Sequence, residues 1–258
     1  MTPRGHRASA VLLAVCVTVA PACVQGSDRS TIERDGASST DPTMRAEAVE
    51  AIATCARPTL VGTVTARRVD AFEAPEPDAD VIARFPRINE QGAVQVFPIL
   101  DRLDRSGDAW YRAMLPIRPN GSTGWIRGDG IELGQTDYRL VVDLERLRLR
   151  LLDGCRTLEA FEIGVGTRDT PTPRGTFFLN SLLRPPDRDS VYGAYAFGLS
   201  AYSDVITDWE GGGIVGLHGT DDASSIGREV SHGCIRLRND AIRRLARLLP
   251  LGTPIEIS

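Results

Sequence analysis

The feature that most constrains the fold of this 258-residue chain is a two-residue periodicity that begins at Tyr138. Apolar residues recur at every second position over Leu140–Leu144 and again over Leu147–Leu151, where arginines occupy the intervening positions. Because successive side chains of a strand point to opposite faces, this pattern predicts a hairpin with one apolar and one arginine face. The arginine face is either an anion site or, as the simpler interpretation, a solvated strand surface.

Further short apolar runs separated by turn formers extend the β pattern in both directions from this hairpin. They predict strands at Leu60–Val64, Val94–Phe97, Trp110–Leu115, Gly124–Arg127, Phe161–Gly166, Gly175–Leu179 and Pro254–Ile257. One amphipathic helix is predicted from Asn239, whose side chain is expected to cap it, to Leu249. The chain is therefore predicted to be mainly β, with one short C-terminal helix.

The stretch Arg184–Gly213 has little periodicity and is rich in Tyr, Gly, Asp and Pro. A stretch of this length inside a compact domain usually has a function. Its place just before the histidine and cysteine segment suggests that it folds over a site.

The charge balance excludes two classes of partner. The formal net charge is −4, and all positively charged side chains except histidine are arginine. A chain of this charge is not expected to bind nucleic acid or to carry a basic membrane-binding patch. The uniform use of arginine is interpreted as a compositional bias rather than as a device for phosphate recognition.

The N-terminus carries an export signal. Positive residues precede an apolar run over Ala8–Ala20 that is too short to span a bilayer, and small residues follow it. This is a secretory signal pattern over residues 1–23, which places the protein in the cell envelope or periplasm. Cys23 directly follows the small residues, as in a bacterial lipoprotein, so a lipid anchor on Cys23 would be the one membrane contact. The alternative is ordinary cleavage near Ala22 with a soluble product.

Residues 24–57 are expected to form a flexible tether followed by a short helix. Two cysteines, Cys55 and Cys155, are assigned neither to the signal nor to chemistry. In an oxidising compartment they are candidates for a disulfide, with two separate buried thiols as the alternative.

The chemistry concentrates in the segment from Gly213 to Leu237, which contains His218, His232 and Cys234. A thiol becomes a nucleophile when a neighbouring base or positive field favours its thiolate, and histidine is suited to that task near neutral pH. We expect Cys234 to be held as a thiolate by one of these imidazoles.

Glycines beside these residues would let the backbone complete the site. Gly233 allows the N–H groups of Gly233 and Cys234 to converge on an oxyanion, and a carbonyl near Gly219 can orient the imidazole of His218. A metal site formed by the same residues is the alternative, but the His232-Gly233-Cys234 spacing is too tight for the usual ligand pairs. An inert buried thiol at Cys234 is the other alternative.

The motif HGT from His218, followed by SHGCIRL from Ser231, resembles the signature of the YkuD-type L,D-transpeptidases. The segments VGTRDTPTPRGTF from Val165 and YRLVVDL from Tyr138 are also similar to that domain. The resemblance covers residues 136–258 and implies a β-sandwich with the cysteine in a deep cleft. It implies peptidoglycan stem peptides as substrates, cross-linking through a cysteine thioester, no cofactor and no metal, and acylation by carbapenem inhibitors.

The resemblance also assigns roles to individual residues. Cys234 would be the nucleophile and His218 its base, oriented by the Gly219 carbonyl. His232 and Gly233 would shape the oxyanion hole together with Cys234. Two substrate-binding residues are Ser231, which would support the loop, and Arg236, which would either bind a stem carboxylate or act only as scaffold.

A second resemblance concerns residues 58–135. The motifs DAWYRA from Asp108 and GWIRGDGIEL from Gly124 are similar to the bacterial SH3-like module, which implies a small β-barrel that binds wall peptide or positions the catalytic domain. Trp110 and Trp125 would fill the core of this barrel or, less simply, line a ligand groove.

Three functions therefore stay open at the level of sequence. The first is transpeptidation, and the second uses the same thiol for L,D-carboxypeptidase activity or for attaching proteins to the wall. These two differ only in which molecule attacks the thioester. The third is a non-catalytic wall-binding lipoprotein, which would have no need of a paired histidine and cysteine.

Overall fold

The computed structural model of the chain describes residues 57–105, 107–187, 189–207 and 212–258. The signal segment, the tether up to residue 56, Cys23 and Cys55 lie outside the described residues, so the expectations for them stay predictions. Over the described ranges the protein is mainly β, as predicted, with sheets packed as a β-sandwich and one α-helix.

The first half of the described chain forms a sheet whose neighbouring strands are all antiparallel. Its order within the described residues is β3-β2-β6-β5-β4-β1-β7. The strands are β1 Thr59–Val64, β2 Arg68–Phe72, β3 Val81–Pro86, β4 Val96–Arg105, β5 Asp108–Met114, β6 Thr123–Arg127 and β7 Ile131–Thr136, with a short 3-10 helix at Gly128–Gly130.

The second half forms a mixed sheet with the order β10-β9-β8-β17-β12-β13-β14-β16 in the part of the chain that is described. A two-stranded parallel ribbon, β11 with β15, lies apart from it. The elements are β8 Tyr138–Asp143, β9 Arg148–Asp153, β10 Arg156–Glu162, β11 Val165–Gly166, β12 Gly175–Leu183, β13 Ala196–Tyr202, β14 Ile214–His218, β15 Glu229–Ser231, β16 Ile235–Arg236, α1 Asn239–Leu248 and β17 Pro254–Ile257, with a 3-10 helix at Ala223–Ser225.

The hairpin predicted from the two-residue periodicity is confirmed. β8 and β9 pair antiparallel, with Leu140 opposite Leu151 and Val142 opposite Leu149. All four of these side chains are fully buried. Arg148 and Arg150 on the other face are exposed, which agrees with a solvated strand surface. Alternation alone therefore fixed the face that this hairpin turns to the core.

The C-terminal helix is confirmed, but the expectation for its first residue is wrong. Ile242 and Leu245 are buried against the core that the second sheet covers. Arg238, rather than Asn239, occupies the N-cap position and makes no side-chain cap hydrogen bond. Asn239 is the first helical residue, and its amide binds other parts of the chain.

A strand that sequence patterns missed lies inside the stretch expected to fold over the site. β13 is the central neighbour of β12 and β14. Phe197, Leu199 and Ala201 are buried on it at every second position. Glycine, serine and tyrosine between them weakened the alternation, yet this strand aligns β14 for the site described below.

The first sheet has its own apolar core, which includes Phe97, Tyr111 and Ile126. Trp110 is 1% exposed and meets Phe72 edge to face at 5.5 Å, so it fills the interior, whereas Trp125 is only partly buried. The simpler interpretation of Trp110, as a core residue, is thus confirmed.

The two sheets contact one another through apolar and polar groups. Val61 and Val96 of the first sheet pack with Phe178 of the second. The Asn120 side chain donates to the carbonyl of Tyr202 at 2.8 Å and accepts from its N–H at 2.9 Å. The hydroxyl of Tyr202 donates to the Pro116 carbonyl at 2.8 Å. These bonds hold the end of β13 against the Pro116–Asn120 loop.

Candidate active site

The site forms where two short parallel strands run side by side. β14 ends at His218, and β16 begins at Ile235, one residue after Cys234. In their register Leu217 lies opposite Ile235 and His218 opposite Arg236. This pairing brings the cysteine beside Gly216 although the two are 18 residues apart in sequence.

The thiol and the imidazole both lie beside Gly216. Its N–H donates to the Sγ of Cys234 at 3.3 Å. A Cβ placed on Gly216 would lie 3.4 Å from Cδ2 of His218 and 3.6 Å from Sγ of Cys234. The structure therefore brings the two predicted catalytic side chains beside the same glycine.

The imidazole of His218 is held in one tautomer. Its Nδ1 lies 2.5 Å from the carbonyl oxygen of Gly219. A carbonyl can only accept, so Nδ1 carries the proton and donates it. In the neutral ring, Nε2 is then left with a lone pair that can accept a proton. The expected orienting carbonyl near Gly219 is thus present in the structure.

Burial sets the charge of both groups. His218 is 4% exposed, and its desolvation lowers its pKa to about 4, although the Gly219 carbonyl acts in the opposite direction. Burial also raises the pKa of the Cys234 thiol above its ordinary value, although the Gly216 N–H bond and the Arg236 charge act to lower it. In both cases the neutral form is favoured because the interior solvates an ion poorly.

Both shifts act against the standing thiolate that the sequence suggested. Burial favours a neutral thiol beside a neutral imidazole near neutral pH. The physical reason is desolvation, which cannot be read from residue spacing. A proton can still pass from Sγ to Nε2 during attack on a substrate, so the imidazole can act as a general base rather than as a standing counter-ion.

The loop that carries Cys234 is fixed by hydrogen bonds through Ser231. Its hydroxyl donates to the Cys234 carbonyl at 2.6 Å and accepts from the Gly233 N–H at 3.1 Å. Gly233 has a φ of 110°, a conformation that side chains disfavour. The Gly233 N–H, which was expected to face an oxyanion, is engaged by Ser231 in this structure.

A buried threonine that sequence reasoning did not select supports the same loop. Thr172 accepts from the Gly166 N–H at 3.0 Å and donates to the Gly233 carbonyl at 2.9 Å. It lies in the predicted proline-flanked loop between β11 and β12, and Thr170 in that loop donates to the Ser231 carbonyl at 3.1 Å. The signal available in sequence was the VGTRDTPTPRGTF segment, which matched the family without indicating these contacts.

His232 and Arg236 are the remaining predicted site residues. His232 is exposed, in contrast to the buried His218. Arg236 exchanges backbone hydrogen bonds with Gly164, at 2.8 Å and 2.9 Å. Its Nε is buried and has no hydrogen-bond partner among the described residues. Arg236 also lies near enough to act on the pKa values of both His218 and Cys234.

Tyr192 forms a wall of the site on the side of the imidazole. Its ring meets the His218 ring edge to face, with centroids 5.1 Å apart and an interplanar angle of 77°. Part of the stretch that precedes the histidine segment therefore does contact the site, as the sequence suggested.

Of the two cysteines of the predicted disulfide, only Cys155 lies among the described residues. Cys155 is disulfide-bonded and Cys234 is a free thiol. Cys55 lies outside the described residues, so its pairing with Cys155 stays a prediction.

Over the described ranges, no group of three His, Cys, Asp or Glu side chains is arranged to hold a metal ion. Within the same ranges, no helix has the length and apolar character needed to cross a bilayer.

The chain matches known proteins over the half that contains this site. The family model of the YkuD L,D-transpeptidase catalytic domain matches residues 137–257. A Bacillus licheniformis protein that carries the name of a YkuD L,D-transpeptidase is 37% identical over 121 residues, which cover 47% of this chain and 66% of the relative. A Bacillus subtilis protein of the same name is 32% identical over 152 residues, covering 57% of this chain and 85% of the relative.

A solved L,D-transpeptidase from Mycobacterium smegmatis aligns with a TM-score of 0.38 at 16% identity, covering 63% of this chain and 99% of that one. The class defined by the sequence match is that of L,D-transpeptidase catalytic domains. This chain belongs to the YkuD family of L,D-transpeptidases.

Proposed function

We propose that this protein is an exported L,D-transpeptidase that cross-links peptidoglycan stem peptides through a thioester on Cys234. The observation that carries the proposal is that the Cys234 thiol and the His218 imidazole both lie beside Gly216, with Nδ1 of the ring bound to the Gly219 carbonyl. This arrangement leaves Nε2 as the acceptor for the thiol proton. The family match supplies the substrate class.

The acylation step follows from these two neutral groups. Sγ attacks the carbonyl carbon of the donor stem while Nε2 of His218 takes the thiol proton. The tetrahedral intermediate collapses as its C–N bond breaks, and the imidazolium returns the proton to the leaving amine. In the family the leaving group is the terminal D-alanine. The product is a thioester, and His218 is neutral again.

The second step reverses the roles. An amine of a neighbouring stem attacks the thioester, His218 accepts the amine proton, and the departing sulfur receives that proton back. The Cys234 N–H is our candidate donor to the oxyanion in both steps, because the Gly233 N–H is engaged by Ser231. His232 and Gly233 then shape the loop around that donor.

Arg236 is proposed to bind a carboxylate of the donor stem. Its buried Nε lacks a partner among the described residues, and a carboxylate would provide the two oxygens that a guanidinium binds best. Replacement by Met keeps the backbone bonds to Gly164. It should therefore raise the KM for the stem peptide, whereas a purely scaffolding role would leave KM unchanged.

The first sheet is proposed to be an SH3-like domain, residues 58–135, that positions the catalytic domain, residues 136–258. Its support is the set of contacts between Asn120, Pro116 and Tyr202, which fix the end of β13. Pull-down on isolated sacculi, comparing the full chain with the isolated segment Tyr138–Ser258, would show whether this sheet also binds the wall.

We further propose that residues 1–23 direct export and that Cys23 carries a lipid, so that the protein is tethered to the membrane of the cell envelope. Metabolic labelling with a tagged fatty acid tests this directly. Label on the natural chain and none on Cys23→Ala is expected, and equal labelling of the two would contradict the anchor.

The function itself is tested by incubating the purified chain with tetrapeptide stems and analysing the products by mass spectrometry. Cross-linked dimers that have lost one terminal D-alanine are expected. Shortened monomers alone would identify a carboxypeptidase. No change in the stems, with Cys234→Ala as the matched blank, would refute the proposed chemistry.

A further inference from the structure

The amide of Asn239 connects two segments that both contact the imidazole of His218. Its Oδ1 accepts from the N–H of Ala194 at 2.8 Å, and its Nδ2 donates to the carbonyl of Thr220 at 2.8 Å. The two partners are 45 and 19 residues away in sequence. Both ends of this side-chain amide are therefore used in tertiary contacts rather than in capping α1.

Each of the two segments provides one wall of the histidine site. The segment before Ala194 includes Tyr192, whose ring meets the His218 ring edge to face. The segment before Thr220 includes Gly219, whose carbonyl accepts from Nδ1. Asn239 thus binds Thr220, which follows Gly219, and Ala194, which lies two residues after Tyr192.

The space around the amide is filled by backbone on both sides. A Cβ on Gly193 or on Gly219 would overlap Oδ1 of Asn239, and one on Gly193 would also overlap the N–H of Thr220. Gly193 has a φ of 61°, so a side chain there would be strained as well as crowded. The close fit means that the amide, Gly193 and the Gly219–Thr220 peptide can move only together.

The other groups of this turn are fixed by backbone hydrogen bonds. The Gly219 N–H donates to the Tyr195 carbonyl at 3.0 Å, and the His218 carbonyl accepts from the Leu237 N–H at 2.8 Å. The Thr220 carbonyl is held by the side chain of Asn239. A side chain therefore restrains the Thr220–Asp221 peptide, which is the next peptide group after the one that contains the Gly219 carbonyl.

We propose that Asn239 is a positioning residue for the general base. It holds the Thr220 carbonyl and packs its Oδ1 against Gly219, and so fixes the turn in which the Gly219 carbonyl faces Nδ1 of His218. This keeps the ring in the tautomer whose Nε2 can accept the thiol proton. Without this restraint the turn can shift, and a fraction of the rings carries the proton on Nε2 and cannot act as a base. The inference rests on the proposed role of His218.

The test uses the full chain with Asn239→Ala and Asn239→Asp, and Arg243→Ala as the matched control. Asn239→Asp keeps the size and the bond from Ala194 but cannot donate to Thr220. Arg243 is exposed on the same helix. Thermal unfolding identifies any variant that fails to fold. If Asn239→Ala does not fold, the conservative Asn239→Asp variant still provides the test.

Two readouts separate the outcomes. The first is the tautomer of His218 from long-range ¹H–¹⁵N spectra, assigned by loss of signal in His218→Gln. The natural chain and Arg243→Ala should show a single form protonated at Nδ1, whereas the Asn239 variants should show a mixture.

The second readout is the acylation rate of Cys234 by a carbapenem, which should fall roughly ten-fold in folded Asn239→Ala. An unchanged tautomer in both folded Asn239 variants would overturn the positioning role. Failure of the natural chain to acylate would instead refute the proposed function and leave the tautomer result valid.

Discussion

The two sheets of this protein differ in which ionisable side chains they bury. The first sheet forms ion pairs at its surface, where Arg68 pairs with Asp70 and Arg102 with Asp104. The second sheet buries the imidazole of His218 and most of the thiol of Cys234. An exposed ion pair contributes little to stability because water already solvates both charges. Burial, in contrast, favours the neutral form of both groups, and that form determines how they can react.

The reactivity of side chains in this fold therefore depends on where the sheet excludes water rather than on the number of charges. All the residues that fix the imidazole and the cysteine loop in the contacts described above belong to the second half of the chain. The first sheet contributes mechanical support through contacts such as that of Asn120 with Tyr202. The following experiments test this division between a reactive and a supporting sheet.

The largest effect is expected from Cys234→Ala. Removing the sulfur removes the nucleophile, so no covalent carbapenem adduct should form, while the fold persists because the cavity left by one sulfur is small. Intact-mass spectrometry with a circular dichroism control measures both properties. An adduct on the mutant would show that the nucleophile is a residue other than Cys234.

The next largest effect is expected from His218→Ala. Loss of a positioned general base typically slows a reaction by roughly 10² to 10⁴-fold, so acylation of Cys234 should fall in that range. His232→Ala, at an exposed imidazole, is the matched control and should retain most of the activity. Equal losses in the two variants, measured as acylation rate constants, would show that burial does not distinguish the two histidines.

Stability should depend on pH through His218. Its pKa is about 4 in the folded protein, whereas the ordinary value of 6.5 applies to the unfolded chain. A lowered pKa means that the unfolded chain binds the proton more tightly, so stability is full above about pH 6.5 and decreases as the pH falls towards 4. Linkage makes this loss roughly 3 kcal/mol. Urea unfolding at a series of pH values measures it.

The control for that series is His218→Gln, which cannot titrate. Its free energy of unfolding should change less between pH 6.5 and 4 than that of the natural chain. Parallel curves for the two proteins would show that His218 is not held neutral by burial.

A smaller effect is expected from Thr172→Val, which keeps the shape of the side chain but removes both hydrogen bonds at the Cys234 loop. A displaced loop should slow acylation roughly ten-fold. Leaving the Gly166 N–H and the Gly233 carbonyl without partners should also cost about 1–3 kcal/mol of stability. Thr176→Val, at an exposed position of β12, is the control. Identical acylation rates for the two variants would mean that Thr172 does not position the cysteine.

The smallest effect is expected from Arg102→Ala in the first sheet. The ion pair with Asp104 at 2.9 Å is exposed at both ends, so its removal should leave the melting temperature and the acylation rate unchanged. A clear loss of acylation in this variant would contradict the separation of roles between the two sheets.

The sequence predicted the parts of the structure that depend on local pattern. The β8–β9 hairpin followed from alternation, and α1 followed from its apolar stripe. The segment from Gly213 to Leu237 pointed to His218 and Cys234 because both side chains have the required chemistry and few competitors exist in the chain. Strand β13 was missed because small and polar residues interrupt its alternation.

The rest of the site depends on contacts between distant residues. Thr172 reaches Gly233 across 61 positions, and Asn239 reaches Ala194 across 45. Local rules instead assigned Asn239 to helix capping, because asparagine favours that position. The charge state of the thiol and the imidazole was also beyond prediction, since it depends on desolvation, which exists only in the folded chain.

The proposed mechanism requires a site that is neutral at rest and transfers the thiol proton only during attack. The most direct measurement is the ultraviolet absorbance of the thiolate in the natural chain, minus that of Cys234→Ala, followed as a function of pH. We predict no thiolate signal near pH 7 and a rise only above the ordinary thiol pKa of 9.0. A full signal already present at pH 7 would show a standing ion pair and contradict the account.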